Sequence, residues 1–252
     1  MLMPEQVVWK LWRARQHYDE LVRELQAYFA SNPGQMVLAP ESTPGNAVYV
    51  FEPKERIPAR FGLIAGDYLQ NVRSTLDYLV WQLVIANGKT PGRSNQFPVC
   101  TGAPKTMSWD DCIKRGRLLG IDSAAIDLIR SFQPCFDTQS GPTPHPLAVL
   151  EEVVNENKHR QVLLTNLATV ITPDIKPPIG HAEYQVSRML NGQMVDGERF
   201  MAFLAFKDGI VEKFEILSTL EVITNFIGLT MLPQFERFFL IDFRRTSAHP
   251  HF

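Results

Sequence analysis

The feature that constrains this chain most is one uninterrupted amphipathic pattern over residues 60–87. At about 100° per residue its apolar positions gather on one broad arc: Phe61, Ala65, Tyr68, Leu69, Val72, Leu76, Leu79, Val80 and Leu83. The other face carries Asp67, Gln70, Asn71, Arg73, Ser74, Asp77, Tyr78 and Trp81. An apolar arc of this length needs covering by other elements, so the core is expected to form around it. Asn87-Gly88 supplies a C-terminal stop, and Pro91 prevents continuation.

The remaining pattern supplies the cover. A second helix is predicted from Pro4 to about Ser31, with Val8, Leu11, Trp12, Tyr18, Leu21, Val22, Leu25 and Phe29 at three- and four-residue steps, ended by Asn32-Pro33-Gly34. Short strands are predicted over 36–39 and 47–51, where β-branched and aromatic residues collect. Ser108 and Asp122 are placed to cap helices over 109–118 and 123–132, and Pro146 opens another that runs to His159. Residues 163–171, 181–190 and 199–206, the last two joined by a turn region at Asn191-Gly192, read as an antiparallel meander. The closing helix spans 215–232, with 235–243 continuing it or running extended. Its apolar part holds Glu221 and Asn225 and meets Pro233, so it reads as a buried helix, too short and too polar to span a bilayer. Helices and strands are segregated along the chain. An α+β fold follows, with long central amphipathic helices packed with an antiparallel sheet. One domain over 1–243 and a loose tail over 244–252 are expected.

Charge and composition narrow the chemistry. The net charge is −2 and the pI about 6.3, so no domain-wide basic field draws in nucleic acid or an anionic membrane. The three cysteines, Cys100, Cys112 and Cys135, form no C-x-x-C pair and read as reduced thiols. None of the six histidines stands at metal-ligand spacing within a helix, and His249-Pro250-His251 reads as part of the tail. Nucleotide phosphate loops, nucleophile elbows, H-E-x-x-H and EF-hand patterns are missing from the sequence. No cofactor and no metal are expected. Lys10, Arg13, Arg15 and His17 interrupt any signal-peptide core, and a cytoplasmic location is expected.

Two constellations stand out. Asp67, Asn71, Ser74, Tyr78 and Trp81 stand at i, i+4, i+7, i+11 and i+14, a stripe that mixes hydrogen-bonding groups with two large aromatics. Such a stripe either lies under a second layer or lines a pocket. Arg73 and Asp77, one turn apart, can pair beside it. The second is Asn155-Glu156-Asn157-Lys158-His159-Arg160 at a helix end. His159 has the intrinsic pKa for proton transfer, Lys158 and Arg160 can hold a phosphate, and Asn157 can orient a substrate or the imidazole. Cations at this position also complement the helix dipole.

The stretches GDYLQNVRSTLDYLVWQL and NENKHR resemble the two motifs of a group of uncharacterised bacterial proteins, a helix G-D-x-x-x-N-L-R-S-A-L-D-H-L followed by N-x-x-K-H-R. That group carries no assigned activity. A further resemblance is to HEPN-type proteins, helical nucleic-acid-associated proteins whose R-x(4–6)-H motif lies on one helix. Here Arg73-Ser74-Thr75-Leu76-Asp77-Tyr78 has tyrosine where that motif has histidine, so Arg73 would need His159 or His17 as its partner.

Two functional readings follow. In the first, the chain is a non-catalytic interaction or ligand-binding protein, with Asp67, Asn71, Asp77, Tyr78, Trp81, Asn157, Lys158 and Arg160 as binding residues. Its partner is expected to be a second copy, and no membrane is expected. In the second, implied by the HEPN resemblance, it is a metal-independent RNase or nucleotide-modifying enzyme with Arg73 and His159 catalytic. The acidic pI disfavours a nucleic-acid or nucleotide partner.

Overall fold

The computed structural model describes residues 3–38, 40, 49–103, 106–138, 144–159, 164–170, 181–185, 188–190, 193–195, 199–207 and 212–239. It is an α+β fold: long helices packed with small antiparallel sheets. The two longest helices, α1 (Glu5–Ala30) and α2 (Ala59–Ala86), lie antiparallel. Their direction is fixed by contacts from end to end: Lys10 over the Tyr78 ring, Tyr18 beside Tyr68, and Tyr28 edge-on to Phe61. Every residue of the expected α2 arc is buried, from Phe61 to Leu83. Truncating one of these, for example Leu76→Ala, removes a side chain with no exposure and costs about 2–5 kcal/mol. Both helices begin after a proline, Pro4 and Pro58, where the lost N–H has no helical partner to miss.

A hairpin joins them. β1 (Gly34–Leu38) pairs with β2 (Tyr49–Pro53) from Gly34↔Pro53 to Leu38↔Tyr49. The register requires glycine at 34. A Cβ there would sit on the Phe51 ring and 2.5 Å from the Glu52 carbonyl oxygen.

From α2 the chain passes through α3 (Trp109–Lys114), α4 (Ser123–Ser131), a 3₁₀ turn (Pro134–Phe136) and α5 (Pro146–His159). Ser108 and Asp122 cap as expected, accepting from the N–H groups of Asp111 at 3.2 Å and Ala124 at 2.9 Å. α3 stops four residues before its expected end. Gly116 and Gly120 adopt φ of 70° and 86°, and Arg117 N–H turns back to the Cys112 carbonyl, so left-handed glycines break the helix.

The main sheet has the order β3 (Leu164–Val170), β7 (Arg199–Phe206), β4 (Ala182–Gln185), all antiparallel. The last strand in sequence therefore takes the centre. β5 (Arg188–Leu190) and β6 (Gln193–Val195) form a separate small hairpin, so the single strand expected over 181–190 is two. The sheet leads into α6 (Ile216–Asn225). Glu215 caps it, accepting from Leu217 N–H at 2.9 Å and Ser218 N–H at 2.6 Å, although burial pushes the carboxyl above its usual range.

The helical path does not stop at Pro233. A π-helical turn (Phe226–Met231), α7 (Leu232–Phe235) and a 3₁₀ turn (Glu236–Phe238) follow. Pro233 falls in the first turn of α7, where proline is tolerated. By length and composition the 23-residue run Ile216–Phe238 is sufficient to cross a membrane, contrary to the sequence expectation. One side of it is core: Ile216, Leu220, Ile223, Ile227, Met231 and Phe235 are buried with the α1 and α2 faces in one apolar cluster. The Tyr68 hydroxyl donates to the Leu220 carbonyl at 2.6 Å and contacts the Thr224 hydroxyl. The other side is open, with Val222 and Leu229 exposed, so the helix expected to be buried is half-buried. The expected turn at Asn191-Gly192 and the tail 244–252 with its two histidines lie outside the described residues.

Candidate functional site

Arg73 is the most informative residue of the two motifs. It lies on α2 at the edge of the apolar arc and is 8% exposed. Its guanidinium donates to the Phe97 carbonyl at 2.6 Å, to Glu151 Oε2 of α5 at 3.2 Å and to Asp77 Oδ1 at 3.4 Å. Asp77 Oδ1 in turn accepts from the Phe97 N–H at 2.9 Å. The physical reason is Phe97 itself. Its ring is fully buried, so its backbone is drawn inside, yet it belongs to the irregular connection after α2 and has no ladder or helix to satisfy it. Arg73 and Asp77 replace that ladder. Glu151 extends the cluster to α5 and accepts from Asn155 Nδ2 at 3.2 Å.

The neighbouring stripe has a different character. Asp67 is exposed, and Tyr78 and Trp81 are 39% and 42% exposed, so the stripe is not under a second layer. Its polar groups are turned onto their own helix: Asn71 Nδ2 donates to the Asp67 carbonyl and Ser74 Oγ to the Gln70 carbonyl, both at 2.8 Å. Across the α1–α2 seam, Trp9 and Trp12 are 53% and 52% exposed and meet edge-on at 5.3 Å. Lys10 bridges the seam, its Nζ 5.7 Å from the Tyr78 ring centre. Trp9 and Trp12 belong to this face, although the three- and four-residue apolar pattern of α1 counts Trp12 and Val8 among its core positions and both are exposed. The available signal was the spacing of three between Trp9 and Trp12, which puts two large aromatics on one side of the helix.

The second motif is only partly in view. α5 reaches His159, but the side chains of Asn157, Lys158 and His159 and all of Arg160 lie outside the described residues. The helix axis rises about 12 Å over the eight residues between Glu151, which meets Arg73, and His159. The other histidine named as a partner, His17, faces Glu20 at 3.6 Å on α1.

Two groupings were invisible in the sequence. All three cysteines converge: Cys100 and Cys112 are buried with sulfurs 3.7 Å apart, and Cys135 N–H donates to the Cys100 carbonyl at 2.9 Å. Burial, then the neighbouring Cys112, pushes the Cys100 thiol far above its ordinary pKa, so it stays protonated. Among the described residues no group of three His, Cys, Asp or Glu side chains is placed to hold a metal ion. The second grouping is a cleft at the far end of the α1–α2 pair, lined by Lys54, Arg56 and Arg60. Comparison of the chain with family models, curated proteins and solved structures gave no match.

Proposed function

We propose that this is a non-catalytic interaction protein that pairs with a second copy of itself through the outer face of α1 and α2. The carrying observation is the state of the α2 stripe. Its amide and hydroxyl groups are satisfied by carbonyls of their own helix, while Tyr78, Trp81, Trp9 and Trp12 stay open. A face of this kind loses few water hydrogen bonds when it is covered, and aromatic residues dominate interface energetics.

Self-pairing is favoured by charge and area. Lys10 lies over the Tyr78 ring and Glu5 accepts from Trp9 Nε1 at 2.6 Å, so the face is charge-mixed and a two-fold axis can set cations against carboxylates. A uniformly basic face, as nucleic acid requires, is not what these residues build. At their exposures the four aromatic side chains present roughly 450 Å², over half of the ~800 Å² that each partner of a stable pair contributes. Arg73 commits three hydrogen bonds to Phe97, Asp77 and Glu151, which favours a structural role over phosphate chemistry and this reading over the nuclease that the HEPN resemblance implies.

Sedimentation velocity tests the proposal. Wild type is expected to sediment as a dimer at micromolar concentration, and Trp12→Ala/Trp81→Ala as a monomer with an unchanged circular dichroism spectrum. A wild-type protein that stays monomeric at high micromolar concentration overturns it, as does a double variant that still dimerises.

A further inference from the structure

At the C-terminal end of α1 and the N-terminal end of α2 lies a cleft of about 490 Å³. This is within the usual size of a small-molecule site. Tyr28, Lys54, Glu55, Arg56, Pro58 and Arg60 line it, three cations against one carboxylate in a chain of net charge −2. Two of the cations are held in place by the protein. Arg60 donates from Nε to Glu24 Oε2 at 2.6 Å, and its guanidinium lies 5.3 Å from the Phe61 ring centre. That grip uses one donor and leaves both Nη groups without a bond among the described residues. Lys54 donates one Nζ–H to the Asn32 carbonyl at 3.0 Å, which places the ammonium and leaves two N–H groups to give. Arg56, between them, has no partner among the described residues.

Two further features agree in sign. α2 opens at this cleft with Pro58 as its cap residue, no side-chain cap and no acidic residue in its first turn, so neither the cap nor the first turn of this 28-residue helix neutralises its positive end. Burial, against a smaller opposing effect from Asn166, raises the Tyr28 phenol above its ordinary range, so it remains a neutral O–H group.

We propose that this cleft binds a small molecule through a terminal phosphate or diphosphate group. A carboxylate is satisfied by a single guanidinium fork. Three cations around one cleft, Lys54 and Arg60 anchored and Arg56 free to close on the ligand, fit a tetrahedral dianion, which accepts hydrogen bonds from several directions. The site is independent of the pairing face: 19 residues of α1 separate Trp9 from Tyr28, about 28 Å of helix.

Inorganic pyrophosphate is the probe, titrated calorimetrically into wild type, Arg56→Ala, Arg56→Ala/Lys54→Ala, and Arg93→Ala as an exposed cation elsewhere. Arg56 has no structural partner, so its variant keeps the fold, which a thermal melt verifies. Wild type is expected to bind one equivalent, Arg56→Ala to bind about tenfold more weakly or worse, and the double variant not at all, with Arg93→Ala like wild type. Absence of binding to wild type at millimolar pyrophosphate overturns the site. So does binding that Arg56→Ala leaves unchanged, or that Arg93→Ala weakens equally. Failure of self-pairing leaves this result untouched, because the two surfaces lie at opposite ends of α1.

Discussion

Arg73 and Asp77, one turn apart on α2, hold the two backbone groups of a single residue: the guanidinium donates to the Phe97 carbonyl at 2.6 Å, and the carboxylate accepts from the Phe97 N–H at 2.9 Å. The pair acts as a strand edge built from side chains. It lets a loop enter the core without leaving a buried peptide group unsatisfied. Arg73→Ala is therefore expected to cost about 2–4 kcal/mol in a urea titration. The figure is below that for a fully sealed pair because the Asp77 and Glu151 side chains keep 36% and 24% exposure and can rehydrate. Asp77→Asn retains an acceptor for the Phe97 N–H and should cost no more than about 1 kcal/mol. An Arg73→Ala protein as stable as wild type would remove the structural role.

His145 makes the start of α5 sensitive to pH. Its Nδ1 accepts from the Leu147 N–H at 3.1 Å, and its ring stands edge-on to Phe226 at 5.0 Å. Burial lowers its pKa, and nearby Asp137 opposes this. The unfolded chain protonates near pH 6.5 and the folded chain only at lower pH, so below about 6.5 the unfolded state takes up the proton first. The stability from the neutral imidazole is thus complete above that pH and lost as pH falls towards the folded value. His145→Asn keeps a capping oxygen without a titrating group. Urea midpoints of this variant should fall less steeply than those of wild type on acidification. Parallel pH curves would mean that the neutral cap is not what His145 contributes.

The thiols should separate into one accessible and two protected groups. Cys135 is exposed, whereas Cys100 and Cys112 are buried. A thiol reagent added to folded protein is expected to modify one equivalent quickly and the other two only in denaturant. Cys135→Ser should remove the fast equivalent. Fast modification of two or more thiols in the native protein would mean that the buried pair opens readily.

Gly34→Ala should be costly for a steric reason. The new methyl group meets the Phe51 ring and the Glu52 carbonyl, so the hairpin must shift, at about 1–3 kcal/mol. Gly92→Ala, whose Cβ would have nothing closer than Asn95 Oδ1 at 4.0 Å, should stay within about 0.5 kcal/mol of wild type. Thermal melts of the two variants make the comparison, and equal melting temperatures would show that the hairpin absorbs the methyl group.

Much of the helical frame was readable from the chain. α1, α2, α4 and α5 lie within one residue of their expected ends because an apolar arc, a capping side chain and a proline or glycine stop act between near neighbours. α3 was read too long because the conformation of Gly116 is set by the turn it makes, not by composition. Beyond Pro233 the sequence leaves a continued helix and an extended stretch both open for a related reason: a π-helical turn resets the register so that the proline begins a helix instead of ending one.

The candidate site divides in the same way. The sequence by itself determined that Arg73, Asp77, Tyr78 and Trp81 share the polar side of one long helix, since helical periodicity is local. Only the tertiary structure decided that Arg73 turns inward to Phe97 and Glu151, 24 and 78 residues away, while Tyr78 and Trp81 stay open. It alone brought the three cysteines together and set Lys54 and Arg56 beside Arg60 across the β2–α2 corner. The reason is physical. Which polar group is buried depends on which distant backbone atom needs a partner, and no short-range pattern carries that information.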